Sequence, residues 1–269
     1  MNKNDVIEIL STNKWAPQKA KGQNFLIDDD ISRVISLLLS PHFDHVLEIG
    51  PGLGSLTYTL SQKAINLKVV ELDRGYAKYL NGKYPNIEII EGDFLKYKVP
   101  RETNAVISNI PYYITTKIIE KVLTETINLK VFVFMTQKDL KDRFFAKPQT
   151  KEYGSLSILL SLIGTLEQKL IVTADKFYPV PNVDSAVFRF TRKDVAFEIK
   201  DFYNFLKFMF LNRRKTMVKN MKTKYDEELV INIFKTLNLP LDIRAEALTP
   251  ELFLSIYLIT LEKQENIRQ

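Results

Sequence analysis

The chain has 269 residues, 45% of them hydrophobic and spread along its length, enough to fold one large domain or a large and a small one. Having no cysteine, it is excluded from Cys-ligated zinc sites, iron–sulfur radical chemistry and cysteine nucleophiles. Its net charge of +6 points toward an acidic partner, of which nucleic acid is the commonest.

No apolar run is long enough to cross a bilayer, and MNKNDVIEILSTNKW lacks the apolar stretch of a signal peptide, so a cytoplasmic protein with no membrane partner is expected. The positive charge is clustered. Lys14, Lys19 and Lys21 lie in an acid-free stretch from Asn13 to Ile27. Arg213, Arg214, Lys215, Lys219, Lys222 and Lys224 lie in another, from Leu211 to Lys224. One such run is usually a solvated face; a pair of them favours a nucleic-acid partner.

DVIEIL predicts a short opening helix, and after a loop a second is expected from about Asp28 to Leu39, with Asp28 to Asp30 in its first turn. Strands and helices then alternate. HVLEIG, LKVVELD, NIEIIEGD, NAVISN and LKVFVFMTQ read as strands; GSLTYTLSQ, RGYAKYLNGKY and ITTKIIEKVL read as the helices between them. Apolar strands alternating with helices predict an α/β domain whose parallel sheet is covered on both faces. After Lys147, SLSILLSLIG reads as a helix, and LEQKLIVT and VDSAVFRF as an antiparallel pair of edge strands around the Pro-rich KFYPVPN. FYNFLKFMFL, EELVINIFKTL and ELFLSIYLITLE have apolar spacings near three and four, so a small all-α domain is expected over residues 192–269, after a catalytic domain over 1–191. The aromatic FYNFLKFMF belongs to a helical core on this reading, not to a base-stacking platform.

The strand ends carry the chemistry. Gly50, Gly52 and Gly54 form G-x-G-x-G between a strand and a helix, where glycine lets the backbone approach a ligand; this is not the G-x-G-x-x-G that cradles a dinucleotide pyrophosphate, and a structural turn would also account for it. Glu71 ends the second strand 21 positions past Gly50, near the spacing at which an acid reaches ribose hydroxyls, although a helix-start acid is the plainer reading and Asp73 serves that role as well. Asp93 ends the third strand, where it could accept from an adenine amino group or simply close a turn. The fourth ends in NIPYY: Asn109 offers an acceptor and two donors, and Tyr112 a flat face. Consecutive strands that each place such a group at the carboxyl edge point to a ligand with one nucleoside and no pyrophosphate, and S-adenosylmethionine fits. His42 and His45 lack further ligands, so no metal is expected.

GQNFL at Gly22 to Leu26, LEIGPGLGSLT from Leu47, ELDR from Glu71, GDF from Gly92, NIPY from Asn109, FYPVPNVDSAV from Phe177 and NRRKT from Asn212 together resemble the rRNA adenine N6-dimethyltransferases, within them the KsgA type that modifies small-subunit rRNA. The resemblance covers nearly the whole chain. It implies a Rossmann-like methyltransferase sheet and cofactor contacts from Asn24, Leu26, Gly50, Glu71, Asp93 and Asn109, to which the glycine pattern adds Gly52 and Gly54. QNFL would otherwise read as a plain loop. It also implies an RNA-facing N-terminal segment over 1–27 with Lys14, Lys19 and Lys21, and an RNA-gripping helical domain with Arg213, Arg214, Lys215 and Lys219.

The activity implied is transfer of methyl groups from S-adenosylmethionine, leaving S-adenosylhomocysteine, to N6 of adjacent adenosines in the 3′-terminal hairpin loop of 16S rRNA within an assembling small subunit, by a monomer. The exocyclic amine is a poor nucleophile because its lone pair is delocalised. Asn109 and the Ile110 carbonyl would accept its N–H bonds while Pro111 sets the bend, and Tyr112 would stack on the flipped base with Phe177 on the other side. Tyr113 departs from the family's usual Asn. The nearest rival is the Erm type, which methylates large-subunit (23S) rRNA; NRRKT and VPNVDSAV favour the KsgA type. A methyltransferase-derived transcription factor is a rival of another class, disfavoured by an N-terminus unlike a transit peptide. A dehydrogenase is disfavoured by the glycine spacing.

Overall fold

The computed structural model describes residues 1–18 and 22–268, so Lys19 and Lys21 lie outside the described residues. The chain divides into two compact units: residues 1–140 with 165–193, and residues 141–164 with 194–269. The boundary expected at residue 191 falls beside the second crossing point. The segment 141–164 joins the helical unit, because its apolar stretch SLSILLSLI is covered by the later helices and not by the sheet.

The first unit is built on the strands β1 (Phe25–Leu26), β2 (His45–Ile49), β3 (Asn66–Glu71), β4 (Glu88–Glu91), β5 (Ala105–Asn109), β6 (Val131–Gln137), β7 (Gly164–Val172), β8 (Phe177–Tyr178) and β9 (Ser185–Arg192). A seven-stranded sheet runs in the order β4-β3-β2-β5-β6-β9-β7. From β4 to β6 it is parallel; β9 is antiparallel to β6, with Ser185 opposite Gln137. β6, VFVFMTQ, is buried along nearly its whole length, as expected of a parallel strand covered on both faces. Phe132 and Phe134 have no exposed surface, and truncating either to Ala would cost about 3–5 kcal/mol. The expected pairing of β7 with β9 at the sheet edge is present: β9 lies between β6 and β7, and β7 forms the rim.

The unit's helices are α1 (Lys3–Thr12), α2 (Asp29–Leu37), α3 (Thr57–Ser61), α4 (Arg74–Lys83) and α5 (Thr115–Glu125). Their starts follow from sequence. Asp28 caps α2 by accepting from Ile31 N at 3.0 Å, and Asp73 caps α4 by accepting from Gly75 N at 3.0 Å. Ile118, Ile119, Val122 and Leu123 bury one face of α5. α3 is shorter than GSLTYTLSQ suggests, because Gly54 takes a φ of +89°, which no right-handed helix admits.

A separate two-stranded sheet, unsignalled in the sequence, pairs β1 with β8 across some 150 positions (Phe25 opposite Tyr178, Leu26 opposite Phe177). It is reinforced by Ile27 N donating to Lys176 O at 2.9 Å and by the Lys176–Asp28 ion pair at 2.9 Å. This staple fastens the QNFL segment to the FYPVP segment.

The second unit contains α6 (Leu140–Phe144), α7 (Ser155–Ile163), α8 (Ile199–Met209), α9 (Met217–Met221), α10 (Glu227–Thr236) and α11 (Pro250–Arg268). α7 is apolar almost all round and packs on α8 and α11. Phe202, Phe205, Leu206 and Met209 are buried on α8, where Phe202 and Phe205 meet Tyr257 ring to ring, so FYNFLKFMF is core. The Tyr153 hydroxyl donates to Leu248 O at 2.8 Å, joining the two stretches of chain that form the unit.

Candidate active site at the carboxyl edge of the sheet

The carboxyl ends of β2, β3 and β5 and the turn after β4 open onto one cavity of about 1070 Å³, its open mouth included. Gly50, Gly52, Glu71, Asp93, Asn109 and Tyr112 all line it. So do Asn24 and Leu26, brought there by the β1–β8 staple, and Ile110 and Pro111 of the turn. All belong to the first unit.

The glycine turn and the acid are interlocked. Gly50 N donates to Val70 O at 2.9 Å, and no atom lies within 4 Å of where a Cβ on Gly50 would stand, so the backbone there faces open space. Glu71 is only 6% exposed; its Oε2 accepts from Gly52 N at 3.0 Å and its Oε1 from Asp73 N at 2.7 Å. Burial pushes its pKa up to about 7, opposed by those two N–H groups. Gly54 does not line the cavity: a Cβ there would stand 2.9 Å from Leu80 Cδ2, so it serves the packing of the turn on α4.

Glu48, not singled out from the sequence, is the most buried acid of the site at 1% exposure. Its Oε2 accepts from the Thr57 hydroxyl at 2.7 Å, while its buried Oε1 has no hydrogen-bond partner. Burial above all, with the Glu71 charge adding, pushes its pKa up to about 8. A buried unpaired oxygen in a cavity wall is costly unless a ligand donates to it. Its one sequence signal is a charge inside the apolar strand HVLEI.

The Asn109 carboxamide is oriented by a second segment. Its Nδ2 donates to Asn24 O at 3.3 Å, so Oδ1 is the atom it offers to a ligand; Asn24 in turn donates to Gly22 O at 3.4 Å. The turn that follows is pinned from below: Ile110 N donates to Met135 O at 2.9 Å, and Thr115 and Thr136 share a hydrogen bond of 3.0 Å. The Tyr112 hydroxyl meets Ser185 Oγ at 2.8 Å. Tyr113 beside it is 56% exposed. Asp93 does close its turn, accepting from Leu95 N at 2.9 Å, and lines the cavity as well.

Phe177 does not join this group. Pairing with Leu26 turns its ring inward, where it is 1% exposed within the apolar cluster of the sheet, and it is not part of the cavity wall. Lys14 is exposed at the end of α1 with φ +56°. In the second unit Arg214, Lys215 and Lys219 are exposed, whereas Arg213 reaches Glu246 at 3.6 Å and donates to Lys151 O at 3.0 Å. Lys222 pairs with Glu227. The run that is acid-free along the chain is partly neutralised in space.

A parallel sheet with a glycine turn unsuited to pyrophosphate, a buried acid at ribose spacing and an Asn-Ile-Pro-Tyr edge defines a Rossmann-like methyltransferase. The chain belongs to the ribosomal RNA adenine dimethylase family, whose model matches residues 17–262. It is 36% identical over 263 residues to the ribosomal RNA small subunit methyltransferase A of Malacoplasma penetrans, covering 94% of this chain and 95% of that protein. Among solved structures, a dimethyladenosine transferase from Plasmodium falciparum shares the fold with a TM-score of 0.76 at 23% identity, covering 89% of this chain and 98% of that one. The 23S rRNA methyltransferase ErmE gives 0.63 at 27%, covering 87% and 98%.

Proposed function

We propose that this protein is an S-adenosylmethionine-dependent dimethyltransferase of small-subunit (16S) rRNA, acting as a cytoplasmic monomer on adjacent adenosines of the 3′-terminal hairpin loop during subunit maturation. The observation that carries the reading is the Asn109–Asn24 hydrogen bond, which leaves Asn109 Oδ1 as an acceptor at the cavity's edge. The relatives' names favour the small-subunit substrate over the Erm-type one: the small-subunit enzyme is 36% identical to this chain, and ErmE 27%.

The cavity suits the cofactor. Glu48 Oε1 is buried without a hydrogen-bond partner, and a bound ammonium group would draw the carboxyl into its ionised form and donate to it, while Glu71 retains lone pairs for ribose hydroxyls. Asp93 would accept from the adenine amino group, and the open backbone at Gly50 lets the ligand lie close. S-adenosylmethionine, when bound, supplies an electrophilic methyl group.

The chain's own residues handle the acceptor. Asn109 Oδ1 and the Ile110 carbonyl accept the two N–H bonds of the adenine amine, which favours a pyramidal nitrogen with its lone pair directed at the cofactor. Tyr112 stacks on the extruded base and offsets its unstacking, a cost of a few kcal/mol. Catalysis is positioning and electrostatics, with no covalent enzyme intermediate.

The test supplies methyl-labelled S-adenosylmethionine with unmethylated small subunits and, separately, with large-subunit rRNA, followed by digestion to nucleosides. Label in N6-dimethyladenosine from the small subunit alone is expected. Label from large-subunit RNA would move the protein to the Erm branch, and RNA binding without label would make it a binding module.

A further inference from the structure

The VDSAV segment marks the family resemblance but takes no direct part in the proposed chemistry. Its last three residues open β9. Ser185 there is fully buried (0% exposed), and its hydroxyl meets the Tyr112 hydroxyl at 2.8 Å, with either atom able to donate. The serine itself is held rigidly. It sits in register opposite Gln137 of β6, and its neighbour Asp184 is fixed from both sides: Ala174 N donates to Asp184 Oδ1 at 3.2 Å, and Lys138 N donates to Asp184 O at 3.0 Å.

We propose that Ser185 is a positioning residue that fixes the direction of the Tyr112 ring so that its face is ready to receive the target base. This rests on the reading of Tyr112 as the base-stacking residue. A hydroxyl pair buried at this point adds little net stability, because both groups give up water to form it. Its effect is directional. Tyr112 lies in a one-turn helix, residues 112–114, with no side-chain cap, and is only half buried, so apolar packing alone leaves its ring axis loosely defined. Tying the ring's far end to β9, a strand paired on both sides, fixes that axis before substrate arrives. Pre-ordering of this kind lowers the cost of binding an extruded base in reactive geometry. The same logic runs through the site: Asn24 orients Asn109, and Ser185 orients Tyr112.

A double-mutant cycle at saturating small subunits decides the matter. Ser185→Ala and Tyr112→Phe should each lower kcat roughly tenfold, the rate equivalent of one hydrogen bond, and the double variant should fall no further than either. Ser185→Thr, which keeps the hydroxyl, should restore most of the rate, and cofactor affinity, which also reports folding, should be unchanged throughout. Native rate in Ser185→Ala, or losses that multiply in the double variant, would overturn the proposal by reducing Ser185 to packing. A crystal structure of Ser185→Ala supplies an answer independent of the RNA: Tyr112 should leave its present position, and a ring found unmoved would contradict the proposal. Should the native enzyme methylate neither rRNA, the proposed function fails, while the ring position still decides the role of Ser185.

Discussion

At the sheet edge, Glu71 has both carboxylate oxygens engaged by backbone N–H groups, and the Asn109 and Tyr112 side chains are each tied to a residue from another part of the chain. In the helical unit, by contrast, Arg214, Lys215 and Lys219 stand exposed on and before α9. On the proposed function the two regions do different work. Groups that must meet a reacting atom within a few tenths of an ångström are fixed by second partners, whereas charges that need only follow a phosphate backbone can stay solvated and adaptable. Substitutions at the edge should therefore change the rate of chemistry, and substitutions in the helical unit the hold on RNA.

The largest effect expected is that of Asn109→Ala, which should lower single-turnover methylation by about 1000-fold while S-adenosylmethionine affinity measured by calorimetry stays close to native. Joint replacement of Arg214, Lys215 and Lys219 by Ala should weaken RNA binding by about 10- to 100-fold at moderate salt and make log Kd less steep in log salt, by about 0.7–0.9 for each phosphate no longer neutralised. Arg213→Ala should matter less for RNA, since its guanidinium is already engaged by Glu246 and Lys151 O. Retention of the full salt slope in the triple variant would erase the distinction between the regions.

Smaller effects sharpen the contrast within the first unit. Gly54→Ala puts a Cβ 2.9 Å from Leu80 at a φ of +89°, so denaturant titration should show a loss of about 1–3 kcal/mol, with cofactor affinity little changed in the folded fraction. Glu48 makes a pH prediction. Folded Glu48 keeps its proton up to about pH 8, while the unfolded chain releases it near 4.5. Unfolding therefore releases protons across that window, and stability falls as pH rises through it. Glu48→Gln should flatten the decline, and an unaltered pH profile in that variant would show that the carboxyl is not held as described.

The sheet is readable because strands covered on both faces are largely apolar runs, and each of these ends at a residue that lines the cavity: Gly50, Glu71, Asn109. Other parts of the site left no such trace. The β1–β8 staple joins two-residue strands, too short for any periodicity, so QNFL taken by its residues alone reads as a plain loop and the inward turn of Phe177 could not be anticipated. Glu48 was hidden because an acid within an apolar strand looks like an interruption until its burial and unpaired oxygen are seen. The basic run from Leu211 looked uniformly cationic because Glu246 lies far from it along the chain and Glu227 just beyond its end.

The division of labour is tested most directly by single-turnover methylation of unmethylated small subunits with Asn109→Ala and the Arg214/Lys215/Lys219 triple Ala variant side by side, from limiting to saturating subunit concentration. The account predicts that the triple variant regains the native rate at saturation, while Asn109→Ala stays slow at every concentration. A triple variant still slow when saturated, or an Asn109→Ala enzyme rescued by more substrate, would contradict it.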